Sequence, residues 1–135
     1  MVAYSFQPEF STPIETGRKE STIRPKGKRR HARVGEELQL YTGMRTRNCR
    51  QLLRVPCHAA LPIEIHANAV FLDGVRKVNP AFYAELARVE GFSSFPNLQA
   101  WFDRRYGLPV CDFTQIKWNF KDALSAPESA AEGAS

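Results

Sequence analysis

The sequence has few residues that form covalent or metal cross-links. It contains three cysteines, Cys49, Cys57 and Cys111, and three histidines among 135 residues. An odd cysteine count at irregular spacing argues against a disulfide framework. Cys57 and His58 with Cys49 and His66 match no structural zinc spacing, so no metal centre is expected. Cys49 and Cys57 are therefore predicted to be small buried residues.

Long apolar runs are also absent. No stretch approaches the length needed to span a bilayer, and residues 1–6 lack the charged and apolar regions of a signal peptide. A chain with 43% hydrophobic and 11% aromatic residues can bury a core without disulfides. We therefore expect one soluble, cytoplasmic domain over residues 1–121. A disordered tail rich in Ala, Ser, Glu, Gly and Pro is expected over residues 122–135.

Positive charge is concentrated in one part of the chain. Residues 18–54 hold twelve of the nineteen Lys and Arg and three acids, giving +9, whereas the remainder carries −4. Such an asymmetry is typical of a surface that binds a polyanion, although a solubilising loop is the alternative. The candidate nucleic-acid-binding residues are Lys26, Lys28, Arg29, Arg30, Arg33, Arg45, Arg47 and Arg50.

Hydrophobic periodicity and turn residues predict an α+β fold. Alternating patterns indicate strands at residues 4–6, 21–24, 36–42, 49–56, 63–66 and 116–120, with a hairpin turn at Asp73-Gly74. A short broken helix is predicted within residues 8–16, and two later helices begin at Asn79-Pro80 and Ser93-Ser94. Residues 25–33 are predicted to be an exposed basic loop without packing. This arrangement favours a small β-barrel of about five to seven strands with two to three peripheral helices and a site at its mouth.

The segment from Gly17 to Arg24 has an unusual density of polar groups. Gly17 can end a helix at positive φ, and the strand that follows places Thr22 and Arg24 on one face. Lys19, in the turn before the strand, can reach back over the Thr22 hydroxyl. A lysine beside a hydroxyl, with an arginine to hold an oxyanion or a phosphate, suits acyl or phosphoryl chemistry. The alternative is a solvated basic turn leading into an edge strand.

These residues are part of a longer pattern that is found in a known family. The pattern is Phe10-x-x-x-Ile14-x-x-Gly17-x-Lys19-x-x-Thr22-Ile23-Arg24, then Gly35 before a strand, and later Glu90-Gly91-Phe92. It resembles the ASCH domain family of the PUA-like superfamily over residues 4 to about 120. Residues 30–46 resemble the subgroup found in bacteriophages and their hosts.

The resemblance implies a PUA-like β-barrel with a groove for a nucleoside or an RNA segment, and no cofactor. Relatives include bacterial amidohydrolases that remove the acetyl group from N4-acetylcytidine, and others are associated with RNA cleavage or RNA binding. It implies that Lys19, Thr22 and Glu90 are the catalytic residues of a metal-independent amidohydrolase acting on an acylated cytidine or a related modified base. Arg18, Arg24 and Tyr41 are the predicted substrate-binding residues.

The predicted roles follow from ordinary acyl-transfer chemistry. Thr22 is the nucleophile, Lys19 its general base and Glu90 the proton donor to the departing amine. Arg24 or a backbone N–H holds the oxyanion. Alternatively, Lys19 and Arg24 hold a phosphate, Thr22 is an ordinary strand residue and Glu90 pairs with Arg88 or Arg18. This chain has more basic residues than the amidohydrolases, and these favour a ligand that carries phosphates. The alternative function is therefore a module that binds RNA or modified nucleic acid through its basic rim, with ribonuclease activity as a variant.

Overall fold

The computed structural model describes residues 1–124, which contain seven strands and three helices. The strands are β1 Val2–Phe6, β2 Ser21–Pro25, β3 Glu37–Thr42, β4 Arg50–Ile65, β5 Val70–Leu72, β6 Val75–Arg76 and β7 Val110–Trp118. The helices are α1 Ser11–Glu15, α2 Pro80–Glu90 and α3 Phe95–Tyr106, with single 3-10 turns at Pro8–Phe10 and Phe120–Asp122. The predicted α+β class is confirmed.

All seven strands belong to one mixed sheet. β1 is parallel to β3, whereas the other pairs are antiparallel. β4 pairs with β3 along its first half and with β7 along its second half, and β2 adds to the far side of β7. Within residues 1–124, β1 and β2 are therefore edges with no backbone pairing between them. The Arg24 side chain spans this gap, because its Nη2 donates to the Ser5 carbonyl oxygen at 2.6 Å.

The prediction of two separate strands at residues 49–56 and 63–66 is wrong, because β4 is one continuous strand of 16 residues. Its register against β7 shifts between Cys57 and Ala59, and again between Ile63 and Ile65. These irregularities interrupt the two-residue alternation of buried and exposed side chains, so the sequence pattern does not reveal that the strand continues. β7 likewise begins at Val110, before the predicted residue 116.

The prediction that residues 25–33 form an unpacked loop is wrong at the end of the loop. Lys26 to Arg30 are exposed, but Ala32 is buried and its N–H donates to the Tyr4 hydroxyl at 3.2 Å. The His31 ring nitrogens lie 2.9 Å from the Tyr4 hydroxyl and 2.9 Å from the Pro25 carbonyl oxygen. His31 therefore attaches the loop to β1. Its neighbours in the sequence do not indicate that it packs.

Two smaller predictions also differ from the structure. Cys57 is buried as expected, but Cys49 is exposed. Residues 122–124, assigned to the tail, are hydrogen-bonded to the domain, since the Leu124 N–H donates to the Arg54 carbonyl oxygen at 2.7 Å. The rest of the predicted tail lies outside the described residues.

The two longer helices begin close to their predicted positions. The Asn79 side chain caps α2 by accepting from the Ala81 N–H at 2.9 Å, and Gly91, with φ of 91°, ends it. Ser94 caps α3 in the same way by accepting from the Asn97 N–H. None of the helices in the described part of the chain has the length and apolar content needed to cross a membrane.

Two hydrophobic clusters form the core. One lies among β1, β3, β4, β7 and α1, and the other between the α2–α3 pair and strands β4, β5 and β7. Phe92 and Trp101 are half-buried and pack against both clusters. These two aromatic residues therefore hold the corner between α2 and α3 against the open side of the sheet.

We expect Gly17→Ala to destabilise the domain. Gly17 has φ of 82°, and a Cβ there would lie 2.9 Å from the Phe120 ring. Left-handed strain and overpacking together predict a loss of about 2–4 kcal/mol in the free energy of unfolding, measured by denaturant titration. Gly74→Ala is the matched control, because Gly74 has φ of 79° and open space around it, so it suffers the strain alone. Equal losses for the two variants would contradict the packing argument.

Candidate active site

A cavity of about 80 Å³ opens where the edges β1 and β2 meet the corner between α2 and α3. Its lining combines aromatic rings with ionisable groups: Ser5, Phe6, Gln7, Phe10, Lys19, Thr22, Ile23, Arg24, Glu90, Phe92, Trp101, Phe102, Arg105 and Tyr106. The fold thus brings Lys19, Thr22 and Glu90 to one cavity. The three residues are only 3%, 4% and 1% exposed, respectively.

Local backbone contacts place Lys19 beside the end of α2. The Lys19 N–H donates to the Pro13 carbonyl oxygen at 2.9 Å, and the next N–H, of Glu20, donates to the Val89 carbonyl oxygen at 2.7 Å. The Lys19 amine donates to the backbone carbonyl oxygen of Glu90 and lies 3.6 Å from Glu90 Oε1. A Cβ on Gly91 would lie 3.1 Å from Lys19 Cδ, so this close approach depends on the glycine.

Two buried polar residues that the sequence analysis did not identify hold the Glu90 carboxylate. The Ser21 hydroxyl donates to Glu90 Oε2, and the Gln115 amide donates to Ser21 Oγ at 3.0 Å and to Glu90 Oε2 at 3.4 Å. Both residues are buried, at 0% and 3% exposure. Strand alternation places Gln115 on the face opposite to the inward-facing Ile116, so the sequence pattern does not reveal this network.

The environment of Lys19 changes its acidity. The pKa of the Lys19 amine is lowered to about 8, because the effect of burial, to which the charge of Arg24 adds, outweighs the opposing effect of the Glu90 carboxylate. The Phe10 ring centroid lies 4.7 Å from the amine, which contributes to the low polarity around it. An amine with a pKa of about 8 is partly neutral at physiological pH and can accept a proton.

Thr22 and Arg24 face the same side of β2, as predicted from the alternation of the strand. Arg24 Nε donates to Thr22 Oγ1 at 2.9 Å, and the guanidinium lies 4.6 Å from the Phe6 ring centroid. The Thr22 hydroxyl oxygen is therefore oriented by Arg24, whereas the Lys19 amine is hydrogen-bonded to Glu90.

Several predicted ligand-binding residues lie away from the cavity lining. Arg18 is exposed, and Tyr41 on β3 donates to Gln39 Oε1 at 3.0 Å. Neither residue is part of the lining, so the structure does not place them with Arg24.

The predicted basic rim is also separate from the cavity lining. Arg30 pairs with Glu36 at 2.7 Å, and Arg50 pairs with Glu15. The remaining six candidates are exposed: Lys26, Lys28, Arg29, Arg33, Arg45 and Arg47. A local excess of charge in the sequence therefore does not correspond to one binding surface around the cavity.

Besides Arg24 on β2, Arg105 on α3 lines the cavity. The Arg105 guanidinium lies 5.4 Å from the Trp101 ring centroid and 5.8 Å from that of Tyr106. Its Nη1 donates to the side-chain oxygen of Gln7 at 2.9 Å. The four-residue spacing of Trp101 and Arg105, which puts both on one helix face, is the signal that the sequence analysis did not use.

Comparison with known proteins supports the fold. No protein-family model matches the chain, and no curated protein matches it in sequence. The crystal structure of ASCH from Zymomonas mobilis matches with a TM-score of 0.54 at 15% identity, over 96% of this chain and 76% of that chain. This chain has the ASCH fold.

A second crystal structure agrees with the first. It is a serine-to-alanine variant of the Zymomonas mobilis ASCH protein and matches with a TM-score of 0.50 at 14% identity, again over 96% of this chain and 76% of that chain. At this identity the likeness concerns the arrangement of strands and helices. The likeness therefore shows the fold, and the chemistry of the site follows from the side chains of this chain.

We expect Lys19 and Glu90 to be energetically coupled. Lys19→Met and Glu90→Gln each leave a buried group without its partner, which predicts a loss of about 3 kcal/mol in the free energy of unfolding. The double variant should lose clearly less than the sum of the two, measured by denaturant titration as a double-mutant cycle. The exposed Arg88–Glu85 pair is the control, because its cycle should show little coupling. Simple additivity at Lys19 and Glu90 would contradict the buried pair.

Proposed function

We propose that this protein is a metal-independent amidohydrolase that removes an acyl group from the exocyclic amine of an acylated cytidine or a related modified base. The observation that carries the proposal is the presence of a buried lysine of lowered pKa, a threonine hydroxyl and a carboxylate in one aromatic-lined cavity. The relation to bacteriophage and bacterial ASCH amidohydrolases and a cytoplasmic location belong to this proposal.

The first step is the formation of an acyl-enzyme. Thr22 Oγ1 attacks the acyl carbonyl carbon, and the neutral Lys19 amine accepts the hydroxyl proton. The carbonyl electrons move to the oxygen, which the Arg24 guanidinium stabilises, since Arg24 already donates to Thr22 Oγ1. Collapse of the tetrahedral intermediate breaks the bond to the cytosine nitrogen.

The second step returns the enzyme to its starting state. Lys19 passes the proton that it took from Thr22 to Glu90, whose Oε1 lies 3.6 Å from the Lys19 amine, and Glu90 then gives this proton to the departing amine. Water then attacks the ester carbonyl on Thr22 while the neutral Lys19 amine takes its proton, and this proton returns to Thr22 Oγ1 as the carboxylic acid is released. Ser21 and Gln115 hold the Glu90 carboxylate and act as positioning residues.

The aromatic lining suits the planar leaving group. Phe6, Phe10, Phe92, Trp101 and Tyr106 surround the polar groups with rings that can stack on a pyrimidine. Their apolar surfaces also keep water away from the Lys19 amine, which maintains its lowered pKa. A nucleobase is therefore the part of a substrate that fits the cavity.

We expect Thr22→Val to abolish the release of acetate and cytidine from N4-acetylcytidine, measured by mass spectrometry. Lys19→Ala and Glu90→Ala should reduce kcat by about 10²- to 10⁴-fold, as the loss of general acid–base catalysis does. Wild-type kcat/KM should rise with pH and level off above about 8, because only the neutral amine of Lys19 accepts the proton.

The controls separate chemistry from folding. Thr22→Ser keeps the hydroxyl and should retain part of the activity, whereas Thr22→Val keeps the shape alone. Thermal unfolding establishes that both variants are folded, and Arg47→Gln, which lies outside the cavity lining, should behave as wild type. Failure of the wild-type protein to deacylate N4-acetylcytidine or other acylated cytosines would refute the proposal.

The second candidate function is binding of RNA or modified nucleic acid, with ribonuclease activity as a variant. The observation that favours it is the exposed pair Arg104 and Arg105 beside Trp101. A base in the cavity would place the adjoining phosphate within reach of these arginines, which neutralise it. The basic rim, which lies between β2 and β3 and between β3 and the start of β4, would then contact more distant phosphates.

We expect the affinity for a labelled single-stranded RNA to fall steeply with salt. Arg105→Gln should weaken binding several-fold and lower the slope against the logarithm of salt concentration by about 1, measured by fluorescence anisotropy. Arg29→Gln and Arg47→Gln are the controls, and they should weaken it less than Arg105→Gln. Binding that does not depend on salt would eliminate this function, and a greater effect of the rim variants would assign the RNA to the rim.

A further inference from the structure

We propose that Glu64, His66 and Cys111 form a zinc-binding site on the outer face of the sheet, where β4 ends and β7 begins. One possible ligand atom from each residue lies within 4.8 Å of the other two. His66 Nε2 and Glu64 Oε1 are 2.9 Å apart. None of the three residues lines the active-site cavity, so this proposal is independent of the hydrolase.

The β4 side of the site follows from the alternation of the strand. Ile63 and Ile65 are buried, at 1% and 0% exposure, which turns Glu64 and His66 outward on the same face. Glu64 and His66, the residue directly after β4, are two positions apart, so their terminal atoms lie close enough to meet at one ion.

A β-bulge supplies the third ligand. Ile63 is opposite Phe113 and Ile65 is opposite Val110, so Cys111 and the residue after it both stand opposite Glu64. Both bulged residues are exposed, and the second one, Asp112, has φ of 60°. In a regular ladder one residue would stand opposite Glu64; the extra residue is what directs the Cys111 side chain to the outer face beside it.

The three ligand types match the coordination chemistry of zinc. Zn²⁺ binds thiolate, imidazole and carboxylate at about 2.0–2.3 Å, which puts neighbouring ligand atoms about 3.3–3.8 Å apart in a tetrahedron. The thiolate and imidazole select against Mg²⁺ and Ca²⁺, which prefer oxygen ligands. Binding forms a sulfur–zinc bond and releases the thiol proton to solvent. Water fills the fourth position, because Cys111 is exposed.

Neighbouring contacts hold the imidazole in place. The Gln99 amide of α3 donates to the carbonyl oxygens of His66 and Ala67, both at 2.9 Å. The His66 ring packs at 69° to the Phe71 ring, with centroids 5.2 Å apart. His66 is thus held both at its backbone and at its ring, which reduces the entropy lost when its imidazole binds zinc.

The test is a titration of the reduced, chelator-treated protein with Zn²⁺ in competition with a chromophoric chelator. We expect one equivalent to bind and Cys111→Ser and His66→Gln each to weaken binding at least tenfold. Co²⁺ provides a second measurement, because a thiolate ligand gives a charge-transfer absorption that should be present in the wild type and absent in Cys111→Ser.

Matched controls use the other exposed residues of the same types. Cys49→Ser and His58→Gln should bind Zn²⁺ as the wild type does, because Cys49 and His58 lie outside the cluster. Thermal unfolding without metal establishes that each variant is folded. Absence of stoichiometric binding, or binding that depends on Cys49 and not on Cys111, would overturn the proposal.

Discussion

The contact between Lys19 and Glu90 is the interaction on which the candidate active site depends. Two ionisable groups that are each almost fully buried require compensation for their lost hydration. Ser21 and Gln115 provide it on the carboxylate side, and the close approach of the lysine stem is possible because Gly91 has no side chain. The pair joins the turn before β2 to the end of α2. The contact between a buried amine and a buried carboxylate therefore also connects the sheet to its helices.

The gap between β1 and β2 explains why the cavity lies at this place. A strand pair closed by backbone hydrogen bonds would leave no room for a ligand between its edges. Here the Arg24 side chain takes the place of a ladder bond by donating to the Ser5 carbonyl oxygen, and it also orients Thr22. Phe92 and Trp101 cover the opening from the helix side. The buried ionisable groups are thus concentrated where the sheet is least complete.

Local signals in the sequence predicted the elements that depend on a few neighbouring residues. The cap and proline at Asn79-Pro80, the turn at Asp73-Gly74 and the short strand after Gly17 are of this kind. The continuity of β4 could not be predicted, because its register shifts interrupt the alternation. The nomination of Glu90 with Lys19 and Thr22 needed the resemblance to a family, since no periodicity relates positions so distant in the chain. Gln115 could not be predicted because its role comes from tertiary contacts, whereas the four-residue spacing of Arg105 from Trp101 on one helix face did carry a signal.

Positive charges that are close together in the sequence are dispersed in the folded structure. Residues 18–54 carry a net charge of +9, yet their cations are divided among separate tasks. Lys19 and Arg24 line the cavity. On the surface, Glu36 partly neutralises Arg30 and Glu37 partly neutralises Arg54. The second arginine of the cavity lining, Arg105, comes from the part of the chain whose net charge is negative. Because the field at a short distance is set by the nearest unscreened charges, the ionisable groups of the lining set the field inside the cavity, and the total charge governs only the approach from outside.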